Sequence, residues 1–224
     1  MAEDKNTGTA NNNKVAQAPF VVTVGRQFGS GGRVLAKALA EDLGIDFYDK
    51  ELLMEAAREA GVNPEFFERS DEKFPTFLHG LFSFTSGITP MCYYTGASSI
   101  TDDGLYKAVS DFLLRKAEER PFVVVGRTAD YILRHHPRVA NIFVHAPMET
   151  RVARILGRGD AATPKAAEAL ASRNDKWRAD YYNFFTDKEW GRPESYHLCI
   201  DSSAMPMEEC VGMVKDFLRH RGLI

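Results

Sequence analysis

Short apolar runs rich in β-branched residues alternate along the chain with longer segments of helical periodicity. The first run, 20–24, is followed by Gly25, and the segment 31–43 places its apolar residues near helical spacing before Gly44. The first pattern predicts a buried strand that ends at Gly25, and the second a helix with a glycine stop. Further strands are predicted at 45–48, 122–125, 139–145 and 196–200. Helices are predicted at 50–60, 101–119, 129–136 and 165–187, with others beginning at 63, 147 and 206.

This alternation predicts an α/β fold in which helices cover both faces of a parallel sheet. Residues 19–224 are read as one domain, preceded by a polar, Asn-rich tail at 1–18 that is predicted to be disordered. The segment 71–100 combines glycines and prolines with many aromatic residues, which favours an ordered flap over plain disorder. Ligands of such folds bind beyond the carboxyl ends of the strands, so the chemistry is sought there.

Composition and net charge limit the classes of partner that we expect this chain to bind. The net charge of −3 gives no global basic field to attract nucleic acid, so a small anion needs a local basic cluster. No stretch approaches the ~20 apolar residues that span a bilayer, and the N-terminus lacks an apolar signal core. We therefore expect a cytoplasmic protein with small-molecule partners and no membrane contact. The cysteines, Cys92, Cys199 and Cys210, have no paired spacing, which argues against a disulfide framework or a zinc site.

A glycine-rich loop lies between the first predicted strand and the first predicted helix. Four glycines within eight positions let backbone N–H groups approach an anion, and the helix N-terminus adds a positive dipole end. The alternative is a plain strand-to-helix turn, which rarely needs so many glycines. We predict a phosphate site whose residues are Gly25, Arg26, Gly29, Ser30, Gly31, Gly32 and Arg33.

The loop only half satisfies the standard pattern G-x-x-x-x-G-K-[ST], whose lysine reaches the β- and γ-phosphates. Gly32 falls at the lysine position and Arg33 at the Ser/Thr position. The missing charge has two candidate sources, Arg33 and Arg26. Mg²⁺ would then be held through waters, for which Asp49, Asp130 and Asp201 are candidates at strand ends or nearby.

Several blocks, in this order, resemble the cytidylate kinase-like branch of the P-loop nucleoside monophosphate kinases, which also lacks the P-loop lysine. They are GRQFGSGGR, FYDKELL, VVVGRTADYIL, RNDKWRADYY and YHLCIDSS, and the resemblance covers about residues 19–220. It implies a three-layer P-loop NTPase-type fold with a five-stranded parallel sheet, a helical lid at 158–195 and an acceptor-side flap. It also implies transfer of the γ-phosphate of ATP, with Mg²⁺, to a nucleoside monophosphate such as CMP or dCMP.

The resemblance also assigns roles to individual residues. Gly29 to Arg33 match the loop that holds the ATP phosphates, and Arg127 matches the arginine that reaches the acceptor phosphate. Arg173 and Arg178 match the lid arginines, and Asp180 lies near an acidic position of the same helix. The predicted catalytic set is therefore Arg33, Arg127, Arg173 and Arg178, and the predicted substrate-binding set is Asp49, Arg127, Asp130 and Asp180. Arg151 and Arg154 lie near a further basic position of the family.

The sequence is compatible with three functions. The first is a nucleoside monophosphate kinase, which the ordered set of motifs favours. The second is a kinase for another small phosphorylated or hydroxylated metabolite, which the unusual aromatic flap motivates. The third is a nucleotide-binding regulator with little catalysis, which the lost lysine and Ser/Thr motivate.

Overall fold

The computed structural model describes residues 18–49 and 102–224, and side chains from residue 106 onward in the second range. The predictions that fall on other residues lie outside this part of the chain. They are the tail predicted at 1–18, apart from residue 18, the helices at 50–60 and from 63, the flap at 71–100 and Cys92.

Five parallel strands form the sheet at the centre of the described fold. They are β1 (Val21–Arg26), β2 (Asp46–Tyr48), β3 (Phe122–Val125), β4 (Val139–His145) and β5 (Leu198–Asp201). Their spatial order is β2-β3-β1-β4-β5, so β1 lies between β3 and β4. The predicted parallel α/β sheet is thereby confirmed, and the glycine-rich loop follows the central strand.

Helices occupy the segments between the strands. They are α1 (Gly32–Leu43), α2 (Asp102–Glu119), α3 (Ala129–Ile132), α4 (Met148–Gly157), α5 (Pro164–Phe185) and α6 (Met207–His220), with a 3₁₀ turn at Pro193–Ser195. Gly44 caps α1 in the left-handed region, and its N–H donates to the carbonyls of Ala40 and Glu41. The predicted glycine stop is therefore confirmed.

Alternating side chains of β1 pack against helices on opposite faces of the sheet. Val22 and Val24 belong to a cluster with α1 and α6, whereas Val21 packs with α2 and α3. Residues of a strand point alternately to the two faces, and both faces are buried here. The result is the predicted three-layer architecture. Within the described residues, no helix is long and apolar enough to cross a membrane.

Several predicted boundaries differ from the structure by one or two residues, such as those of the last strand, predicted at 196–200, and of the long helix, predicted at 165–187. Two further differences concern the first strand and α3. Gly25 does not end the first strand, because Gly25 and Arg26 continue β1 and pair with β4. Helix α3 ends at Ile132 rather than at 136. The residues after it form tighter turns, in which the N–H of His136 donates to the carbonyl of Leu133, and Pro137 cannot continue a helix.

Candidate functional site

A pocket opens at the carboxyl ends of β1 and β3, under helix α5. Arginines from three separate elements line it: Arg26 at the end of β1, Arg127 after β3 and Arg178 on α5. Asp130 and Gly25 line the same pocket. Five of the predicted site residues therefore lie together where a parallel α/β sheet binds its ligands.

The positive charges are close enough to influence one another. An Nη1 proton of Arg178 is donated to the carbonyl of Arg26 at 3.0 Å. Burial lowers the pKa of Arg26, and burial followed by repulsion from Arg26 lowers the pKa of Arg178 well below its usual value. An anion entering the pocket would relieve this repulsion, so the arrangement suits a phosphorylated ligand.

A strained turn directs Arg127 toward this pocket. Gly126, Arg127 and Thr128 have φ angles of 74°, 62° and 51°, three consecutive left-handed residues. The conformation is costly for the β-branched Thr128. Hydrogen bonds fix the turn: the Gly126 N–H donates to the Val24 carbonyl at 3.1 Å, and the Ala129 N–H to the Gly126 carbonyl at 3.2 Å. The backbone strain is therefore located at a residue that lines the site.

Aromatic side chains form the remaining wall of the pocket. Trp177, Tyr181 and Tyr182 come from α5, while Trp190 and Tyr196 come from the segment before β5. The Trp190 ring meets Phe143 edge-on at 5.3 Å, which fixes it against the sheet. Aromatic faces of this kind can stack on a planar ligand group.

Asp130 and Tyr182 form a buried pair at the same site. The Tyr182 hydroxyl donates to Oδ2 of Asp130 at 2.6 Å. Burial raises the pKa of Asp130, whereas the bond from Tyr182 lowers it. Burial also raises the pKa of Tyr182, so its proton stays on the hydroxyl.

Asp175, which connects helix α5 to the glycine loop, is a residue that the sequence analysis did not single out. Its carboxylate accepts a hydrogen bond from the N–H of Phe28 in the glycine loop at 2.7 Å, and another from Nη1 of Arg151 at 2.5 Å. Burial raises the pKa of Asp175, while the Phe28 N–H and the arginines oppose this. Its position three residues before Arg178 was the available signal, because residues three apart share a helix face.

Arg154 ties the glycine loop to the turn after β5. Its Nη1 donates to the Ser30 carbonyl at 2.8 Å and to Oγ of Ser202 at 2.9 Å, and its Nη2 donates to the Ser202 carbonyl at 2.8 Å. The Ser202 hydroxyl also donates to the Ser30 carbonyl. Two segments far apart in sequence are thus held by one guanidinium.

Replacing Arg154 by methionine is therefore expected to lower the free energy of unfolding by about 1–2 kcal/mol, because two backbone carbonyls lose a charged donor. Chemical denaturation measures the change. Arg158→Met is the matched control. Arg158 directly follows α4, the helix that carries Arg154, and its exposed side chain forms an ion pair with Asp160 at 2.6 Å. An equal loss of unfolding free energy in both variants would contradict the inference that Arg154 holds the glycine loop to the turn after β5.

Eight predicted site residues do not line the pocket. Four of them, Gly29, Ser30, Gly31 and Gly32, belong to the glycine loop, and the other four are Arg33, Asp49, Arg173 and Asp180. Arg33 is turned toward β2, where it pairs with Asp49 and lies 6.0 Å from the ring centre of Phe47. Arg173 is exposed and lies over the ring of Trp177 at 5.3 Å. Asp180 is also exposed, and it pairs with Lys176 at 2.9 Å. The functional roles of all the predicted residues stay predictions.

The candidate Mg²⁺ residues do not form one site. Asp49 follows β2 and Asp201 ends β5, so they lie at opposite edges of the sheet, roughly 20 Å apart by strand spacing. The Asp201 carboxylate accepts hydrogen bonds from the N–H and hydroxyl of Ser203. In residues 18–49 and 102–224 no group of three potential metal-ligating side chains occurs. A single ion cannot be shared by these carboxylates.

Fold and site together define a three-layer α/β protein of the P-loop kinase fold, with a basic pocket beside its glycine loop. A family model described as the cytidylate kinase-like family matches residues 21–204. The chain belongs to this family, as the motifs predicted. A search of curated proteins finds no match.

Solved structures share the fold. An uncharacterized protein from Eubacterium ventriosum is 26% identical, with a TM-score of 0.67, and the match covers 89% of this chain and 98% of that one. A gluconokinase from Sinorhizobium meliloti is 19% identical, with a TM-score of 0.52 and coverages of 91% and 94%. A putative kinase from Chloroflexus aurantiacus is 16% identical, with a TM-score of 0.50 and coverages of 92% and 98%. At the two lower identities, the likeness concerns the fold alone.

Proposed function

We propose that this chain transfers the γ-phosphoryl group of ATP to the phosphate of a nucleoside monophosphate, with CMP or dCMP as the acceptor. The observation that carries the proposal is the convergence of Arg26, Arg127 and Arg178 beside the glycine loop. An acceptor that is itself a phosphate brings two negative charges, and several guanidinium groups are the natural complement to them.

The chemistry needs positioning and charge rather than covalent help. An oxygen of the acceptor phosphate attacks the γ-phosphorus, and the bond from that phosphorus to the β–γ bridging oxygen breaks. ADP leaves with the electron pair, and the product is a nucleoside diphosphate. The attacking oxygen is already anionic, so no base is required, and the arginines stabilise the charge that spreads over the transferring group.

The glycine loop is proposed to hold the phosphates of ATP, and the aromatic wall to hold the base of the acceptor. Mg²⁺ supplies further charge neutralisation in this class of reaction. Because Asp49, Asp130 and Asp201 cannot share one ion, we assign no protein carboxylate to it.

A second candidate is a kinase whose acceptor is a hydroxyl group of a small metabolite. The observation in its favour is Asp130, a carboxylate that lines the pocket and whose pKa is raised by burial. A hydroxyl acceptor must lose a proton as it attacks, and a carboxylate can take it. A phosphate acceptor needs no such base, because its attacking oxygen is already ionised.

The test is ADP formation from ATP and Mg²⁺ with CMP, dCMP, UMP, AMP or GMP, and with hydroxylated metabolites as a separate panel. We expect CMP or dCMP to accelerate ATP turnover by about 100-fold or more over the rate without acceptor. Acceleration only by a hydroxylated metabolite would replace the first proposal by the second. ATP binding without any acceptor-dependent turnover would instead favour the regulator.

A further inference from the structure

We infer that Arg26 supplies the charge of the missing P-loop lysine, and that Gly32 is a glycine because the Arg26 side chain occupies the space of that lysine. This inference rests on the proposed function, since it concerns how the loop binds the phosphates of ATP. It also chooses between Arg26 and Arg33, which the sequence left open.

The motif register shows an exchange of two residues. In G-x-x-x-x-G-K-[ST], the first glycine and the lysine are six positions apart. With Gly31 as the second glycine, Arg26 stands at the first glycine and Gly32 at the lysine. The long cationic side chain and the glycine have thus changed places within the loop.

The packing around Gly32 explains why the two residues change together. A Cβ atom at position 32 would lie 2.6 Å from Cβ and 3.2 Å from Cγ of Arg26, and 3.1 Å from Cβ of Val144. Separations under 3.0 Å are essentially never seen for real Cβ atoms. The stem of Arg26 therefore lies where a side chain at position 32 would begin.

The far end of Arg26 reaches the pocket. A Cβ atom at Gly126 would lie 2.2 Å from Nη1 of Arg26, so the guanidinium lies against the turn that follows β3. Arg127 is the next residue of this turn, and Arg178 binds the carbonyl of Arg26. The stem of Arg26 therefore lies over Gly32 of the glycine loop and its charge lies beside the turn that carries Arg127, which suits a group that bridges donor and acceptor phosphates.

Arg33 is less suited to this task. Its side chain is about half exposed and is turned to Asp49 beyond β2. By contrast, no ion pair of the Arg26 side chain occurs among residues 18–49 and 102–224. Asp49 and Asp175 attract its charge, and Arg33 repels it.

The inference is tested with variants of positions 26 and 32. Arg26→Met keeps an apolar stem over Gly32 but removes the charge, and Arg26→Gly/Gly32→Lys recreates the standard order of glycine and lysine. ATP affinity is measured by calorimetry, and thermal unfolding is followed for every variant. We expect Arg26→Met to weaken ATP binding about 30-fold and the double variant to return to within about threefold of the wild type.

The single variant Gly32→Lys tests the space argument separately. It is expected to melt at a lower temperature than the wild type, because its Cβ meets Arg26, and to recover when Arg26→Gly is added. Arg134→Ala is the control for loss of one positive charge, since Arg134 is exposed and stacks on Tyr131 at 4.1 Å. It should bind ATP as the wild type does.

The inference is overturned by a folded Arg26→Met that binds ATP within threefold of the wild type, by a Gly32→Lys that is as stable as the wild type, or by a folded double variant that binds ATP no better than Arg26→Gly. A larger loss of ATP affinity in Arg33→Ala than in Arg26→Met would also overturn the inference. The proposed function fails by a different result, the absence of acceptor-dependent turnover in the wild type. A wild-type chain that binds no ATP would overturn both.

Discussion

Replacing Arg178 by methionine is expected to lower kcat/KM for the nucleoside monophosphate by about 1000-fold, or about 4 kcal/mol of transition-state stabilisation. The side chain lines the pocket, is largely buried and lies beside Arg26. Interactions with charge are strong where water is excluded, so a guanidinium here should act on the transferring group more than an exposed one would. Steady-state rates over a range of acceptor concentrations measure the effect.

Arg173→Met is the informative comparison for this prediction. Arg173 lies five residues earlier on α5, yet it is exposed and stacked on Trp177. We expect its replacement to change kcat/KM by less than about threefold, and Lys176→Met to behave similarly as a surface control. Equal losses for Arg173 and Arg178 would contradict the assignment of Arg178 to the pocket.

Folding must be separated from chemistry in these variants, since Arg178 also donates to the Arg26 carbonyl at 3.0 Å. Circular dichroism and thermal unfolding of Arg178→Met address this. A variant that is folded, binds ATP and fails to turn over supports the proposed role. A folded variant with nearly normal turnover would exclude it.

The sheet could be predicted because its signal is local. The run 122–125 is apolar throughout and 139–145 is apolar except for Asn141 and His145, as expected for strands buried on both faces, and both are strands in the structure. The parallel direction of the strands in such a sheet also brings their carboxyl ends to one edge. For this reason Arg127, which directly follows β3, lies among the positions where chemistry was sought, and the family resemblance then gave it a role.

The direction of long side chains could not be predicted in the same way. The sequence places Arg33 in the predicted catalytic set and offers Arg26 as a second source of the missing charge. The packing around Gly32 and the ion pair of Arg33 with Asp49 separate the two. Arg173 and Arg178 share one helix, but five residues turn them to different faces. Contacts between segments that are distant in sequence, such as the hydrogen bond from the Phe28 N–H to Asp175, produce no periodic pattern in either segment. The sequence therefore could not predict them.

The second large effect is expected for Tyr182→Phe, which should lower the free energy of unfolding by about 3 kcal/mol near pH 8. The hydroxyl donates at 2.6 Å to a carboxylate that is only 6% exposed. Without it, Asp130 must remain charged in a buried position with one donor fewer, or take up a proton. Either response costs free energy at a pH where Asp130 is ionised in the unfolded chain.

The pH dependence distinguishes this cause from a simple loss of packing. Burial raises the pKa of Asp130 above its ordinary value of 3.8 in the folded protein, and the Tyr182 hydrogen bond lowers it, so removal of the hydroxyl raises the pKa further. A carboxyl with a raised folded pKa holds its proton more tightly in the folded state. Stability from this group is therefore present at low pH and is lost as the pH rises through the folded pKa.

The deficit of Tyr182→Phe relative to the wild type should accordingly be largest between neutral pH and about pH 9, below the ordinary pKa of a tyrosine hydroxyl, and it should shrink as the pH falls through the raised pKa of Asp130. Urea denaturation at a series of pH values measures it. In the background Asp130→Asn, which carries no titrating group at this position, the effect of Tyr182→Phe should be the same at every pH. A deficit that is constant with pH in the wild-type background would mean that Asp130 does not respond to the lost hydroxyl, and that the Asp130–Tyr182 pair is held by packing alone.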